Sequence, residues 1–412
     1  GGPGDSATAF NPCPAMQEQF GFVAQGDVNA GYTSGVGVRT ATQLLVFNGY
    51  AGPAPTGVDA SAADGGSVNL VYVQAFDPAT AKSLGPPALL FQAPDGAGFT
   101  LMDVSIAPSG QIALAFSYYG GLLYNSLSAA FLAPGTTGSL NLGHIAQIES
   151  ARIYGQPHVI WSVASQAFLF SWENVSSSSL VFTTKVAQIL PDGRPGSGAS
   201  GTVPTDSAGG MVYSAANNIF AGAAGTSASL VGVGFESGGN NGALPFLTIL
   251  DSTGGQVGSS LQLSSAASRW IAVAGTSLGF VTFFDNGTGV SEAFVAVSAD
   301  AGVAGASSDG GDAGALPGFV LPGAADALDG RALSDDQGGP GGVGAALLYP
   351  TQVGFAYVNP NGQGPLAHFN AVLPHTYATG DFMTISNYRG LFAVSLYDST
   401  KHSTQVIASG CQ

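Results

Sequence analysis

One short unit recurs along this chain of 412 residues: an apolar strand, a turn rich in Gly, Pro, Asp or Asn, and a second apolar strand. The first strand of the unit ends near Phe76, Leu132, Leu190, Leu250, Val297, Val358 and Ala408. These positions are 47 to 61 residues apart, with a mean of about 55. A repeat of this length indicates an array of supersecondary units that stack on one another.

Each unit also contains two earlier strands, as in residues 102–119 and 269–284. The 62 glycines cluster between short apolar runs, and no sustained helical periodicity is present, so the sequence predicts an all-β chain. With seven units of four strands, it resembles the seven-bladed β-propellers of exported bacterial proteins over almost its whole length. The resemblance implies one domain, 1–412, of four-stranded antiparallel blades. No Trp-Asp, sialidase-type or kelch motif recurs, so no specific family is assigned.

The seventh copy of the repeat predicts how the ring closes. Its strand ends near Ala408 and has no partner after it, whereas an apolar strand is available at Gln17–Gln25. We predict that this N-terminal strand joins the C-terminal blade. Residues 1–15 then form a tail and clasp, and Cys13 lies beside Cys411 in a disulfide. Closing a loop of this length contributes about 4 to 5 kcal/mol in chain-entropy models.

The net charge and the two cysteines indicate which partners are excluded and in which compartment the protein works. The net charge of −16 opposes binding to nucleic acid or anionic lipid, and no apolar run approaches the roughly 20 residues of a transmembrane segment. A cysteine pair indicates an oxidising compartment, and a start without Met indicates processing. We therefore expect an extracellular or outer-surface protein, with a composition similar to exported proteins of high-GC bacteria. A Cys just upstream of Gly1 would add a lipid anchor.

Two segments interrupt the repeat, 52–66 and 300–343, and both are predicted to be inserted surface loops. The second is rich in Gly, Ala and Asp and contains seven acids: Asp300, Asp309, Asp312, Asp326, Asp329, Asp335 and Asp336. A solvated loop is the interpretation we favour. Calcium is the alternative, because clustered carboxylate oxygens suit hard cations. No other cofactor is predicted.

Short strings that match catalytic motifs occur in this sequence, but their surroundings do not support catalysis. Residues 275–279 match G-x-S-x-G, but this string lies between two predicted strands, whereas a nucleophile elbow joins a strand to a helix. The five histidines are scattered and no two have zinc-ligand spacing. The sequence therefore favours a protein that is not an enzyme.

An aromatic residue near the end of the second strand recurs in every unit, and in four units an acid follows it directly. In a propeller these residues approach the loops between second and third strands. Aromatic faces can stack on sugars, and carboxylates and amides pair with hydroxyls. The predicted ligand-binding residues are Trp172, Glu173, Asn174, Phe235, Glu236, Asp285, Asn286, Tyr397 and Asp398. The alternative is that the aromatics pack between blades while the polar residues cap turns.

The function predicted from these observations is a binding or adhesion module that recognises a glycan or a surface protein. A first alternative is a structural subunit of a surface assembly or filament, and assembly with copies of itself is possible. A second is a polysaccharide-acting enzyme, which needs two carboxylates roughly 5 to 10 Å apart. Substitution of Trp172 by Ala separates binding from packing: loss of ligand with an unchanged melting temperature supports binding, and a large fall in melting temperature supports packing.

Overall fold

The computed structural model describes residues 20–24, 32–54, 67–92, 97–120, 125–134, 140–150, 153–175, 182–203, 223–227, 230–239, 242–285, 289–297, 327–335, 341–362, 367–373, 376–377, 382–398 and 403–410. These segments contain 27 β-strands and no helix, which confirms the all-β prediction. It follows that no described segment is a helix long and apolar enough to cross a bilayer.

The strands form seven antiparallel sheets, each built from consecutive strands except where the ring closes. Blade 1 contains β2 (Tyr32–Arg39), β3 (Leu44–Pro53), β4 (Ser67–Phe76) and β5 (Ala88–Gln92). Blade 2 contains β6 (Ala97–Ile106), β7 (Ile112–Gly120), β8 (Asn125–Pro134) and β9 (Leu140–Glu149). Blade 3 contains β10 (Ile153–Ser162), β11 (Ala167–Val175), β12 (Phe182–Ile189) and β13 (Gly201–Thr202).

The remaining blades follow the same order. Blade 4 contains β14 (Ala223–Ser227), β15 (Leu230–Gly239), β16 (Gly242–Leu250) and β17 (Leu261–Gln262). Blade 5 has three described strands, β18 (Ile271–Thr276), β19 (Gly279–Asp285) and β20 (Val290–Ala296). Blade 6 contains β21 (Asp329–Ser334), β22 (Val343–Tyr349), β23 (Gln352–Val358) and β24 (Ala367–Val372). The molecule is a seven-bladed β-propeller, as the repeat predicts.

Blade 7 shows how the ring closes. It contains β25 (Phe382–Tyr388), β26 (Leu391–Asp398) and β27 (Ser403–Gly410), and its fourth strand is the N-terminal β1 (Phe20–Ala24). The strands β1 and β27 are antiparallel, with Phe20 opposite Ala408 and Ala24 opposite Thr404. The predicted closure is confirmed. Cys13 and Cys411 lie outside the described residues, so their disulfide stays a prediction.

Part of the predicted insertion 300–343 is a strand and not a loop. Its last third contains β21, the first strand of blade 6. This strand consists of Asp329-Gly-Arg-Ala-Leu-Ser, and its buried positions are Gly330, Arg331 and Ala332. Because these residues are small or charged, the pattern did not indicate a strand. Residues 300–326 and 336–340 lie outside the described residues.

The hydrophobic core lies between neighbouring blades. Trp270 and Phe283 of blade 5 pack in one cluster with Leu347 of blade 6. Phe355 of blade 6 lies against Phe392 of blade 7, with ring centroids 5.5 Å apart. Every residue of the second strands β19 and β22 is buried, because a second strand is covered by a neighbouring blade on each face. A residue on either of these two strands is therefore buried whichever way its side chain alternates.

Candidate functional site

The four predicted acids lie near the carboxyl ends of second strands, on the same side of the ring. Glu173 is on β11, Glu236 on β15, Asp285 on β19 and Asp398 on β26. Their exposed fractions are only 5%, 3%, 2% and 3%. The sequence therefore placed these residues at equivalent positions in their blades, but it did not indicate that they are buried.

The predicted aromatic platforms are also buried. Trp172 and Tyr397 are each 4% exposed, and Phe235 is 3% exposed. Trp172 packs in the hydrophobic cluster between blades 2 and 3. Phe235 stacks on Phe246 at 5.7 Å, and Tyr397 stacks on Phe382 at 5.0 Å. The rings thus pack between strands and blades and have almost no free face for a ligand, as in the packing alternative. Asn286 lies outside the described residues.

Strand alternation explains where the acids point. Leu169 of β11 packs with Val231 and Val233 of blade 4, and Glu173 is four residues further along the same strand face. Leu230 of β15 packs with blade 5, and Glu236 is six residues further along that face. Glu173 is therefore directed towards blade 4, and Glu236 towards blade 5. The acids of blades 3, 4 and 5 form an arc around one side of the ring.

Burial and mutual repulsion disfavour ionisation of two acids of this arc, Glu173 and Glu236. Burial raises the pKa of Glu173 well above its ordinary value, and the charge of Glu236 raises it further. Burial also raises the pKa of Glu236 well above its ordinary value; a hydrogen bond from Ser268 opposes the rise and the charge of Asp285 adds to it. Asp285 forms an ion pair with Arg269. Protonated carboxyls that both donate and accept hydrogen bonds are therefore favoured at Glu173 and Glu236.

Several buried polar atoms around Glu173 have no hydrogen-bond partner. They are the indole Nε1 of Trp172, Oε2 of Glu173, the amide Nδ2 of Asn174 and Oε1 of Glu236. Buried polar atoms are nearly always paired, because each unpaired one costs free energy. The two donors lie on the face of β11 towards blade 2, and the two acceptors lie on its other face and on β15. A ligand with several hydroxyls would therefore have to lie across the ends of these strands to pair all four atoms. We call Trp172, Glu173, Asn174 and Glu236 the blade 3–4 acid site.

A polar network that the sequence did not predict crosses the central channel. Arg331 of blade 6 donates from Nη2 to Oε1 of Gln156 in blade 3 at 3.0 Å, and from Nη1 to Asp329 at 2.7 Å. Asp103 of blade 2 accepts from the backbone N–H of Val159 at 2.8 Å. Arg331 and Gln156 are 175 positions apart in the chain, and the convergence of first strands brings them together.

The channel network leaves little room for a ligand. Asp103, His158 and Arg331 line a cavity of about 30 Å³, which holds about one water molecule. Burial and the charge of Arg331 hold the pKa of His158 well below its usual range, and burial raises the pKa of Asp103 to about 7. At the position of this cavity, the described side chains link the blades and leave no space for a ligand much larger than water. Among the described residues, no three His, Cys, Asp or Glu side chains are grouped to hold a metal ion.

Glu292 of β20 allows a direct test of these electrostatics. It is 6% exposed, both of its carboxyl oxygens lack a partner, and burial raises its pKa to about 8. Since the folded state holds the proton more tightly, this carboxyl makes the protein lose stability as pH rises from its unfolded value near 4.5 through 8. Glu292→Gln should remove this loss, on the order of 2 kcal/mol by pH 9 after local relaxation.

The measurement is chemical denaturation of wild type and Glu292→Gln between pH 5 and pH 9. The difference in unfolding free energy should grow with pH in favour of the variant. Asp77→Asn is the control, because Asp77 is solvent-exposed and local hydrogen bonds lower its pKa. Its difference from wild type should stay constant over the same range. Parallel curves for wild type and Glu292→Gln would show that Glu292 ionises normally in the folded protein.

Comparisons with known proteins identify the fold and no family. No protein-family model matches the chain, and no curated protein sequence does. A protein of unknown function from Dyadobacter fermentans is similar over 96% of this chain and 100% of its own, with a TM-score of 0.53 and 9% identity. The sialidase of Trypanosoma rangeli gives a TM-score of 0.47 at 7% identity, over 92% of this chain and 55% of its own. The six-bladed fungal lectin of Aleuria aurantia gives 0.47 at 14% identity, over 74% of this chain and 91% of its own.

Proposed function

We propose that the protein is an exported binding module that recognises a glycan at the blade 3–4 acid site. The observation that carries the proposal is the set of four buried polar atoms without partners on Trp172, Glu173, Asn174 and Glu236. Two are donors and two are carboxyl oxygens, so together they match hydroxyl groups, which both donate and accept. Export and a place at the cell surface belong to the same proposal.

The electrostatics support a neutral ligand. A protonated carboxyl offers one donor and one acceptor without a net charge, and the elevated pKa values of Glu173 and Glu236 favour this form. A cationic ligand would instead require both carboxyls to ionise beside each other, at a cost in repulsion. Because the aromatic rings are packed away, recognition here depends on hydrogen bonds rather than on stacking.

The first test is a glycan array probed with the purified protein, with and without calcium. Any glycan that binds is then titrated calorimetrically against wild type, Asn174→Ala, Glu173→Leu and Glu173→Gln. We expect Asn174→Ala and Glu173→Leu to weaken binding about tenfold or more, because each removes a hydrogen bond to the ligand. Glu173→Gln keeps a neutral donor and acceptor and should retain most of the affinity at neutral pH. The exposed Asp77→Asn is the control.

Three other outcomes of these experiments would contradict the proposal, and each indicates a different function or site. A clean negative on the array contradicts glycan recognition and favours a protein partner or self-assembly. Equal losses in Asn174→Ala and Asp77→Asn would place the ligand outside the blade 3–4 acid site. Turnover of a polysaccharide that disappears in Glu173→Gln would indicate an enzyme, in which the two interacting carboxyls act as acid and base.

A further inference from the structure

A second cleft lies between blades 3 and 4, at the opposite end of their strands. It has a volume of about 350 Å³ and is formed by the turn between β10 and β11, the loop after β12 and the turn after β16. Polar residues in its wall are Ser162, Ser165, Gln188, Ser197, Ser252 and Thr253. Strand β11 begins beside this cleft at Ala167 and reaches Glu173 six residues later, which separates the two sites by about 20 Å.

Gln188 is the best-defined polar group of the cleft. It is 4% exposed, and its Oε1 has no hydrogen-bond partner. Its side chain lies against Gly198, where an added Cβ would overlap the amide group. The backbone carbonyl of Gln188 accepts from the N–H of Gly196 at 2.7 Å, which fixes the same loop over the strand. The loop thus holds the amide in place while leaving its oxygen unpaired.

Hydroxyl groups complete the polar wall. The Oγ of Ser165 is also buried and without a partner. The Oγ of Ser162 accepts from the backbone N–H of Ser165 at 3.3 Å and keeps its own proton to donate. On the adjoining blade, Val231 packs with Leu169 of blade 3 and supplies apolar surface on this side, whereas the Leu230 side chain packs towards blade 5. The described wall therefore combines hydrogen-bonding groups with an apolar patch and contains no ionisable side chain.

We propose that this cleft is a binding site for a neutral, hydroxyl-rich small molecule such as a sugar residue. The volume is within the range of small-molecule sites. A ligand hydroxyl that donates to Oε1 of Gln188 and accepts from Ser162 or Ser165 would pair the buried atoms, and its C–H face would lie on Val231. A charged ligand would find no counter-charge among these wall residues. The site is independent of the blade 3–4 acid site and does not rest on it.

The test is a titration of the full chain with D-glucose, D-galactose, D-mannose, maltose and the charged N-acetylneuraminic acid, followed by saturation-transfer NMR and calorimetry. We expect saturable binding of at least one neutral sugar and none of the charged one. Gln188→Leu should weaken that binding about tenfold. Without ligand, the same variant should be at least as stable as wild type, since it removes a buried amide oxygen that has no hydrogen-bond partner. Glu173→Gln should leave this binding unchanged.

Gln405→Leu is the matched control. Gln405 is also on a third strand, is 5% exposed and has an unpaired Oε1, but it lies in blade 7. The Gln405→Leu variant should bind the sugar with the same affinity as wild type.

Ser165→Ala is a second, smaller change in the cleft and should weaken binding without lowering the melting temperature. The proposal is overturned if no neutral sugar binds below about 10 mM, if the charged sugar binds better, or if Gln188→Leu and Gln405→Leu behave alike.

Discussion

Gly275→Val is expected to lower the free energy of unfolding by more than about 4 kcal/mol, above the range of ordinary overpacking. Gly275 lies on β18 against β14 of the preceding blade, where a Cβ would overlap the backbone of Thr226. The contact is reciprocal, since a Cβ on Gly225 would lie 2.6 Å from the backbone nitrogen of Gly275. Backbone cannot move aside as a side chain can, so the two first strands must separate. Chemical denaturation, or the yield of folded protein, measures the effect.

Gly85→Ala is the matched control, because a Cβ at this position would meet no atom within 4 Å. Its stability should equal that of wild type. If Gly275→Val unfolds at the same denaturant concentration as Gly85→Ala, the first strands of blades 4 and 5 are further apart than described here. The contact also explains one part of the G-x-S-x-G string: Gly275 is required for packing, and Ser277 lies in the short turn between β18 and β19.

Trp172→Ala should lower the free energy of unfolding by about 3 to 5 kcal/mol, the range for removing a large buried aromatic. The indole is 4% exposed and shares a cluster with Phe131, Phe168 and Phe170. The deletion leaves a cavity that blades 2 and 3 cannot close, because each is held in the ring on its other face. Thermal and chemical denaturation measure the loss.

Asn174→Ala separates packing from binding at the same site. It removes a polar group of the blade 3–4 acid site without opening the hydrophobic cluster, so the melting temperature should stay close to wild type while glycan affinity falls. The opposite pattern, a stable Trp172→Ala that no longer binds, would mean that the ligand stacks on the face of the indole and does not contact its Nε1 alone. The interpretation of Trp172 as a stacking platform would then replace the packing described here.

The architecture could be predicted from the sequence because each blade of a propeller repeats a similar pattern of strands and turns. Seven similar units, a seventh strand without a partner at Ala408 and a spare strand near Phe20 were sufficient to place β1 beside β27. The first strand of blade 6 was missed because Arg331 and its small neighbours carry no strand pattern. Its charge is buried only because the central channel supplies partners from blades 3, 6 and 7.

The candidate sites were harder to predict for a different reason. Alternation along β11 indicates that Trp172 and Glu173 face opposite ways, but in a closed ring both directions lead into a neighbouring blade. Exposure therefore cannot be read from a single strand. The cleft around Gln188 has no sequence signal, because its wall comes from serines and glycines in three separate loops, residue types that are common in any turn.

The closure of blade 7 also determines how the molecule responds to mechanical load. Because β1 and β27 are antiparallel, Phe20 and Ala408 are opposite each other at one end of the pair. Force applied through the two chain ends therefore opens the hydrogen bonds in sequence from this end, as in unzipping, instead of loading them together in shear. If the predicted disulfide between Cys13 and Cys411 forms, this covalent link would bear the force before the first hydrogen bond between the two strands.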